Sequence, residues 1–80
     1  MGTDTRTDEE VIKEYIINRV MNFTSAKSVH SITRNNKQFF IAKFPLSCTD
    51  SIYQLKTTFY RVKILHSLGP NKNIVHFKVE

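Results

Sequence analysis

The stretch Lys27–Phe44, KSVHSITRNNKQFFIAKF, predicts a β-hairpin. Its first half alternates β-branched with polar residues, and its second half is aromatic and apolar. Both patterns are typical of strands. Asn35 and Asn36 lie between the halves, and asparagine accepts the positive φ angles of a two-residue hairpin turn. We therefore expect strands near Lys27–Arg34 and Lys37–Phe44.

A first helix is predicted before this hairpin, from about Asp8 to Phe23. Thr7 and Glu10 have the spacing of a capping box at its start. A helical spacing of four, four and three residues places one set of apolar side chains on a single face that should be buried: Ile12, Ile16, Val20 and Phe23.

A second helix is predicted after the hairpin, from about Asp50 to Leu68, where Gly69-Pro70 is a strong stop signal. Its core stripe would consist of Ile52, Leu55, Phe59, Val62 and His66. His66 would close that stripe near the last carbonyls of the helix, which is a structural role.

The last eight residues, NIVHFKVE, predict a third strand in which Val75, Phe77 and Val79 share one face. The element order is then α-β-β-α-β. We expect an α+β fold of two layers, with a three-stranded antiparallel or mixed sheet and two helices on one face. Residues 1–6 are expected to be disordered and residues 7–80 to form a single small domain, which could be a piece of a longer protein.

Charge is distributed unevenly along the 80 residues. The chain has 12 Lys and Arg against 7 Asp and Glu, and five of the seven acids lie in the first fourteen residues. From Tyr15 onward ten Lys and Arg face only Asp50 and Glu80, a balance of +8. Such a basic body favours an anionic partner, namely nucleic acid, an acidic protein or a membrane surface. Alternatively, the charge serves only to keep the protein soluble.

Motifs for catalysis are lacking in this sequence. It has no glycine-rich phosphate loop and no metal-ligand spacing, and nothing local supports a pair between Cys48 and one of the histidines, His30, His66 and His76. We therefore expect neither an enzyme nor a cofactor or metal. A single cysteine suggests an intracellular setting, cytoplasmic or nuclear. No apolar run is long enough to span a bilayer, so no integral membrane association is expected.

The outer face of the sheet is the first candidate binding surface. If Phe40 faces the core, strand alternation turns its neighbour Phe39 outward. The surface would then combine aromatic, aliphatic and basic groups, which a monomer is not expected to leave bare. Its members are Phe39, Ile41, Lys43, Ile74, His76 and Lys78, with Arg34 and Lys37 flanking the turn and either His30 and Ile32 or their alternates from the first strand.

The second candidate is a flank of the second helix, where tyrosines and lysines alternate and a serine follows: Tyr53, Lys56, Tyr60, Lys63 and Ser67. Lysines can neutralise phosphates and tyrosines can stack on bases. The simpler interpretation is a solvated flank, with the tyrosines covering the edge of the core.

These patterns favour a small basic module that binds nucleic acid, RNA or another single strand, without catalysis. The alternative is a protein-interaction or homodimerisation domain that uses the sheet face or the helix flank, with an acidic protein or a second copy as partner. A third possibility is that the first helix covers the sheet from its other side.

Overall fold

The computed structural model describes residues 8–80 as two helices and four strands. In chain order they are α1 (Asp8–Phe23), β1 (Ser28–Arg34), β2 (Lys37–Lys43), α2 (Ser51–Thr58), β3 (Val62–Leu68) and β4 (Ile74–Val79). The α+β class is confirmed, but the sheet has four strands rather than three, all antiparallel, in the order β1-β2-β4-β3. The predicted disorder of residues 1–6 and the cap at Thr7 lie outside the described residues.

The additional strand comes from the second half of the predicted second helix, so the range Asp50–Leu68 is wrong for that helix. α2 ends at Thr58, and Phe59 already has extended φ and ψ angles of −122° and 129°. The hydroxyls of Thr57 and Thr58 both donate to the carbonyl oxygen of Gln54, which is the local bonding that weakens helices. The following residues are aromatic and β-branched and pair with β4 as a strand.

The predicted hairpin is confirmed. Asn35 and Asn36 have φ angles of 54° and 62°, as a tight turn with two left-handed residues requires. The turn fixes a register in which Arg34 lies opposite Lys37 and Ile32 lies opposite Phe39. We call the end of the sheet that carries this turn the turn end. Because all strands are antiparallel, the start of β3 and the end of β4 lie there too.

Both helices pack on the same face of the sheet, as predicted. One core cluster joins Ile16 and Val20 of α1 and Leu55 of α2 to the inner residues of the strands. Phe77 is at the centre of this cluster, with ring centroids 5.6 Å from Phe40 and 6.3 Å from Phe59. The predicted core position of Phe59 is therefore confirmed, and the face shared by Val75 and Phe77 is the one that faces the core.

The predicted apolar stripe of α1 is buried only in its middle, which corrects the prediction at both ends. Ile16 and Val20 are buried, but Ile12 is 50% and Phe23 65% exposed. The chain leaves α1 and enters β1 at the end opposite the turn end. Tyr15, by contrast, lines a cleft with Val79 and Glu80, at the turn end. Residues 8–14 therefore project past the turn end, beyond the strands that would bury them.

Gly69 belongs to the β3–β4 turn instead of stopping a helix. Its φ of 92° is left-handed, and the amide of Lys72 donates to its carbonyl oxygen at 3.2 Å. A Cβ atom at this position would collide with the side-chain oxygen of Asn73. The turn therefore requires glycine for both conformation and space.

Candidate nucleic-acid interface

No helix or strand within residues 8–80 covers the face of the sheet that points away from the helices. We call it the open face. Strand alternation and the register assign to it His30, Ile32 and Arg34 of β1, Lys37, Phe39, Ile41 and Lys43 of β2, Ile74, His76 and Lys78 of β4, and Lys63, His66 and Leu68 of β3. The possibility that α1 covers this face is wrong, because Ile16 and Val20 hold α1 on the other side.

A cleft of about 320 Å³ lies in the open face. Phe39 lies opposite Ile32 in the register and forms part of its apolar lining. The ladder between β3 and β4 is irregular between Ile64 and His66, and such a bulge redirects side chains. Leu65 and His66, although consecutive, both line the cleft as a result. Its complete lining is Ile32, Arg34, Phe39, Leu65, His66 and His76.

All three histidines of the chain lie in one row across the sheet. His30 is opposite Ile41, Ile41 is opposite His76, and His76 is opposite His66. The rings of His66 and His76 meet edge to face with centroids 6.0 Å apart. Within residues 8–80, no three metal-ligating side chains are grouped to hold an ion. The row instead offers flat polar rings and hydrogen-bonding nitrogens beside Phe39.

Two pairs of cations face each other directly on the open face at the turn end. Arg34 lies opposite Lys37, and Lys63 lies opposite Lys78. Like charges directly opposite each other destabilise a sheet. None of the four strands contains an acidic residue that would offset them. Both pairs therefore cost folding free energy, and an anion bound between them would remove that cost.

The structure brings together most of the predicted site residues. Phe39, Ile41, Lys43, His76 and Lys78 share the open face with Arg34 and Lys37 at the turn end. Phe39 faces outward as predicted, while its neighbour Phe40 is 1% exposed in the core.

The predicted tyrosine and lysine flank of the second helix is wrong, because its residues lie on three different elements. Tyr53 and Lys56 are exposed on α2, in the helix layer. Tyr60, 98% exposed, lies in the link between α2 and β3. Lys63 lies on β3 and joins the open face opposite Lys78. The shortening of α2 thus removes one candidate surface and adds a cation to the other.

The sequence prediction missed His66 and Leu65 as members of the site. Its placement of His66 on a helix core stripe is wrong, since the residue is exposed on β3. The alternation in VKILHS, where Val62 and Ile64 face the core and Lys63 faces out, is a signal for a strand. It does not place His66, because only the irregularity between Ile64 and His66 brings that residue to the open face.

The thiol of Cys48 is separated from every histidine by the sheet. It is part of the core cluster on the helix side, and its sulfur donates to Oδ1 of Asp50 at 3.3 Å. Nε2 of Gln54 donates to the same oxygen at 2.8 Å. Both hydrogen bonds lower the pKa of the Asp50 carboxyl, and the one from Gln54 has the larger effect. Cys48, Asp50 and Gln54 thus form a hydrogen-bonded group at the start of α2, and Cys48 is not paired with a histidine.

Compared with known proteins, the chain matches no family model, no curated sequence and no solved structure. Neither helix in residues 8–80 has the length and apolarity needed to cross a membrane. Function therefore has to be inferred from the geometry and charge of the open face.

Proposed function

We infer that this protein is a small, non-catalytic module that binds single-stranded nucleic acid, preferably RNA, on its open face. One observation carries the inference: two cross-strand pairs of like cations, Arg34 with Lys37 and Lys63 with Lys78, lie at the turn end of the open face, where Arg34 also lines the cleft that contains Phe39. Phosphates are the anions that such spaced cations suit, and an aromatic ring between them suits a base.

In this proposal the cleft takes a base and the cations take the backbone. Phe39 supplies the stacking surface, because a base can lie against an aromatic ring whatever its identity. His66 and His76 lie beside it in the same cleft, where their ring nitrogens can hydrogen-bond to base edges. Lys43 lies at the opposite end of β2 and can hold the backbone as it leaves the face.

An unpaired strand fits this surface better than a duplex. Bases of a duplex are stacked on each other and cannot reach a phenylalanine on a sheet. Bases of a single strand can be splayed onto it. An RNA strand also has 2′-hydroxyls that the histidine row could recognise, which is the basis for preferring RNA over DNA.

The direct test is a fluorescence anisotropy titration with three labelled ligands of the same sequence. They are single-stranded RNA, single-stranded DNA and duplex DNA, each about twelve nucleotides long, within the range of known single-strand sites. We expect saturable binding in the order RNA, then DNA, then duplex. Four phosphate contacts should give a log–log salt slope of roughly −3, at about 0.7 per contact. Lack of saturable binding at about 50 mM salt, where such contacts are strongest, would refute the proposal.

A further inference from the structure

The first half of α1 presents an apolar surface for which residues 8–80 provide no cover. Ile12 lies one helical turn before the buried Ile16 on the same stripe, so it faces the level where a sheet would lie. It is half exposed because the sheet of its own chain ends before reaching it. Val11 and Tyr15 are exposed beside it. Projecting past the turn end, this segment resembles one half of an interface.

The charge of this segment is opposite to that of the open face. Residues 8–14 contain four acids, Asp8, Glu9, Glu10 and Glu14, against the single cation Lys13. The turn end of the open face carries four cations around Phe39, namely Arg34, Lys37, Lys63 and Lys78. Each surface therefore has an apolar centre with charges of one sign around it, and the signs are complementary.

We propose that two copies of this chain form a twofold dimer in which the first half of each α1 lies on the open face of the other copy. Consider a twofold axis in the plane of the sheet, at the turn end and perpendicular to the strands. It places the second sheet end to end with the first and turns it over. The open face of the second copy then lies beneath the projecting α1 of the first, and the contact occurs twice in a closed assembly.

The occupant is a second copy because α1 cannot reach its own open face. Ile16 and Val20 anchor α1 on the opposite side of its own sheet, with both side chains nearly free of solvent contact. The link between Arg19 and α2 holds it there as well, since Nε of Arg19 donates to the carbonyl oxygen of Thr58 at 3.1 Å. Among residues 8–80, the open face can therefore meet residues 8–14 only when it belongs to another copy.

The dimer is expected to be weak and sensitive to salt. The projecting segment of seven residues is only about 10 Å long, so each contact is small even when it is made twice. Dimer and nucleic acid would use the same cations and would therefore compete. That competition rests on the proposed function, whereas the dimer itself does not.

Charge reversal on each surface in turn tests the proposal. The acid-reversed variant carries Asp8→Lys and Glu9→Lys, and the base-reversed variant carries Lys63→Glu and Lys78→Glu. Each variant alone would place like charges together and should remain monomeric. A mixture of the two would restore opposite charges at both contacts and should form a heterodimer. Analytical ultracentrifugation at low salt would measure the mass, and circular dichroism would verify that both variants are folded.

A second pair of variants tests the apolar part of the contact. Ile12→Ser should weaken the wild-type dimer by about tenfold or more, as hot-spot substitutions do. Met21→Ser is the matched control, since Met21 is on the same helix and 42% exposed but follows the buried Val20 and lies outside residues 8–14. It should leave the dissociation constant unchanged.

The proposal is supported if the wild-type protein reaches twice its 9.4 kDa mass at high concentration and the mixed variants do so as well. It is overturned if the wild type remains a monomer throughout, if either reversed variant dimerises as well as the wild type, or if the mixture forms no heterodimer. If the single-strand titration fails while the mixed variants assemble, only the nucleic-acid proposal is lost.

Discussion

Phe39 and Phe40 are consecutive in the chain but lie on opposite faces of the sheet. Phe40 is in the core, with its ring centroid 5.6 Å from that of Phe77. Phe39 lines the cleft of the open face opposite Ile32. Strand alternation thus gives two identical side chains different roles, one in stability and the other in binding.

This separation predicts a large difference in stability between two variants. Phe40→Ala removes a fully buried ring and should lower the free energy of unfolding by about 3–5 kcal/mol. In a domain of this size that loss is close to the total stability. Phe39→Ala should cost about 1 kcal/mol, because its ring is only partly buried. Urea titrations monitored by circular dichroism would measure both, and equal losses would show that Phe39 also belongs to a closed core.

The β3–β4 turn predicts the effect of a single methyl group. Gly69→Ala should destabilise the domain by about 1–3 kcal/mol, because Gly69 has a left-handed φ and its new Cβ would meet the side chain of Asn73. Ser67→Ala, two residues earlier on β3, is a control with ordinary strand geometry. If Gly69→Ala and Ser67→Ala had the same melting temperature, this would argue against the turn and therefore against β3 as a strand.

Lys63 and Lys56 should differ in their effect on binding, since they lie on opposite layers of the domain. Lys63→Gln should weaken binding of every single-strand sequence and reduce the salt slope by about 0.7 to 1. It should also stabilise the free protein slightly, because it removes the repulsion with Lys78. Lys56→Gln on α2 should alter neither. Equal effects of the two substitutions on the salt slope would mean that binding does not select the open face.

How far the sequence predicts this fold depends on the range of the interactions involved. α1 and the first hairpin follow from local signals, namely helical spacing around Ile16 and two asparagines that accept left-handed angles. The end of α2 does not, because Val62 continues the helical spacing of Leu55 and Phe59 and also begins the strand alternation of Val62 and Ile64. Pairing of β3 with β4 decides between them, and the sequence of α2 itself does not reveal that pairing.

The same distinction applies to the candidate site. Phe39 and Lys78 could be assigned to one face from alternation alone. His66 and Lys63 could not, since their faces depend on which element contains them. Ile12 appeared to be a core residue because helical spacing does not indicate where a neighbouring sheet ends.

The salt dependence of self-association provides a prediction independent of substitutions. Between about 50 mM and 500 mM salt, the proposed dimer should dissociate, because its charged contacts are at the surface and are screened. Light scattering at fixed protein concentration would follow the change in mass. A dimer that persists or strengthens with salt would indicate an apolar interface elsewhere on the molecule.

The binding of a labelled single-stranded RNA by Phe39→Ala, beside the wild type and Leu46→Ala, tests the role of the open face most directly. Leu46 is exposed in the loop between β2 and α2, apart from the open face, and is the control for loss of an exposed apolar side chain. Loss of one stacking contact is worth about 1–3 kcal/mol, so Phe39→Ala should bind roughly 5- to 150-fold more weakly while Leu46→Ala binds as the wild type. Wild-type affinity in a folded Phe39→Ala protein would contradict the assignment of the open face as the nucleic-acid site.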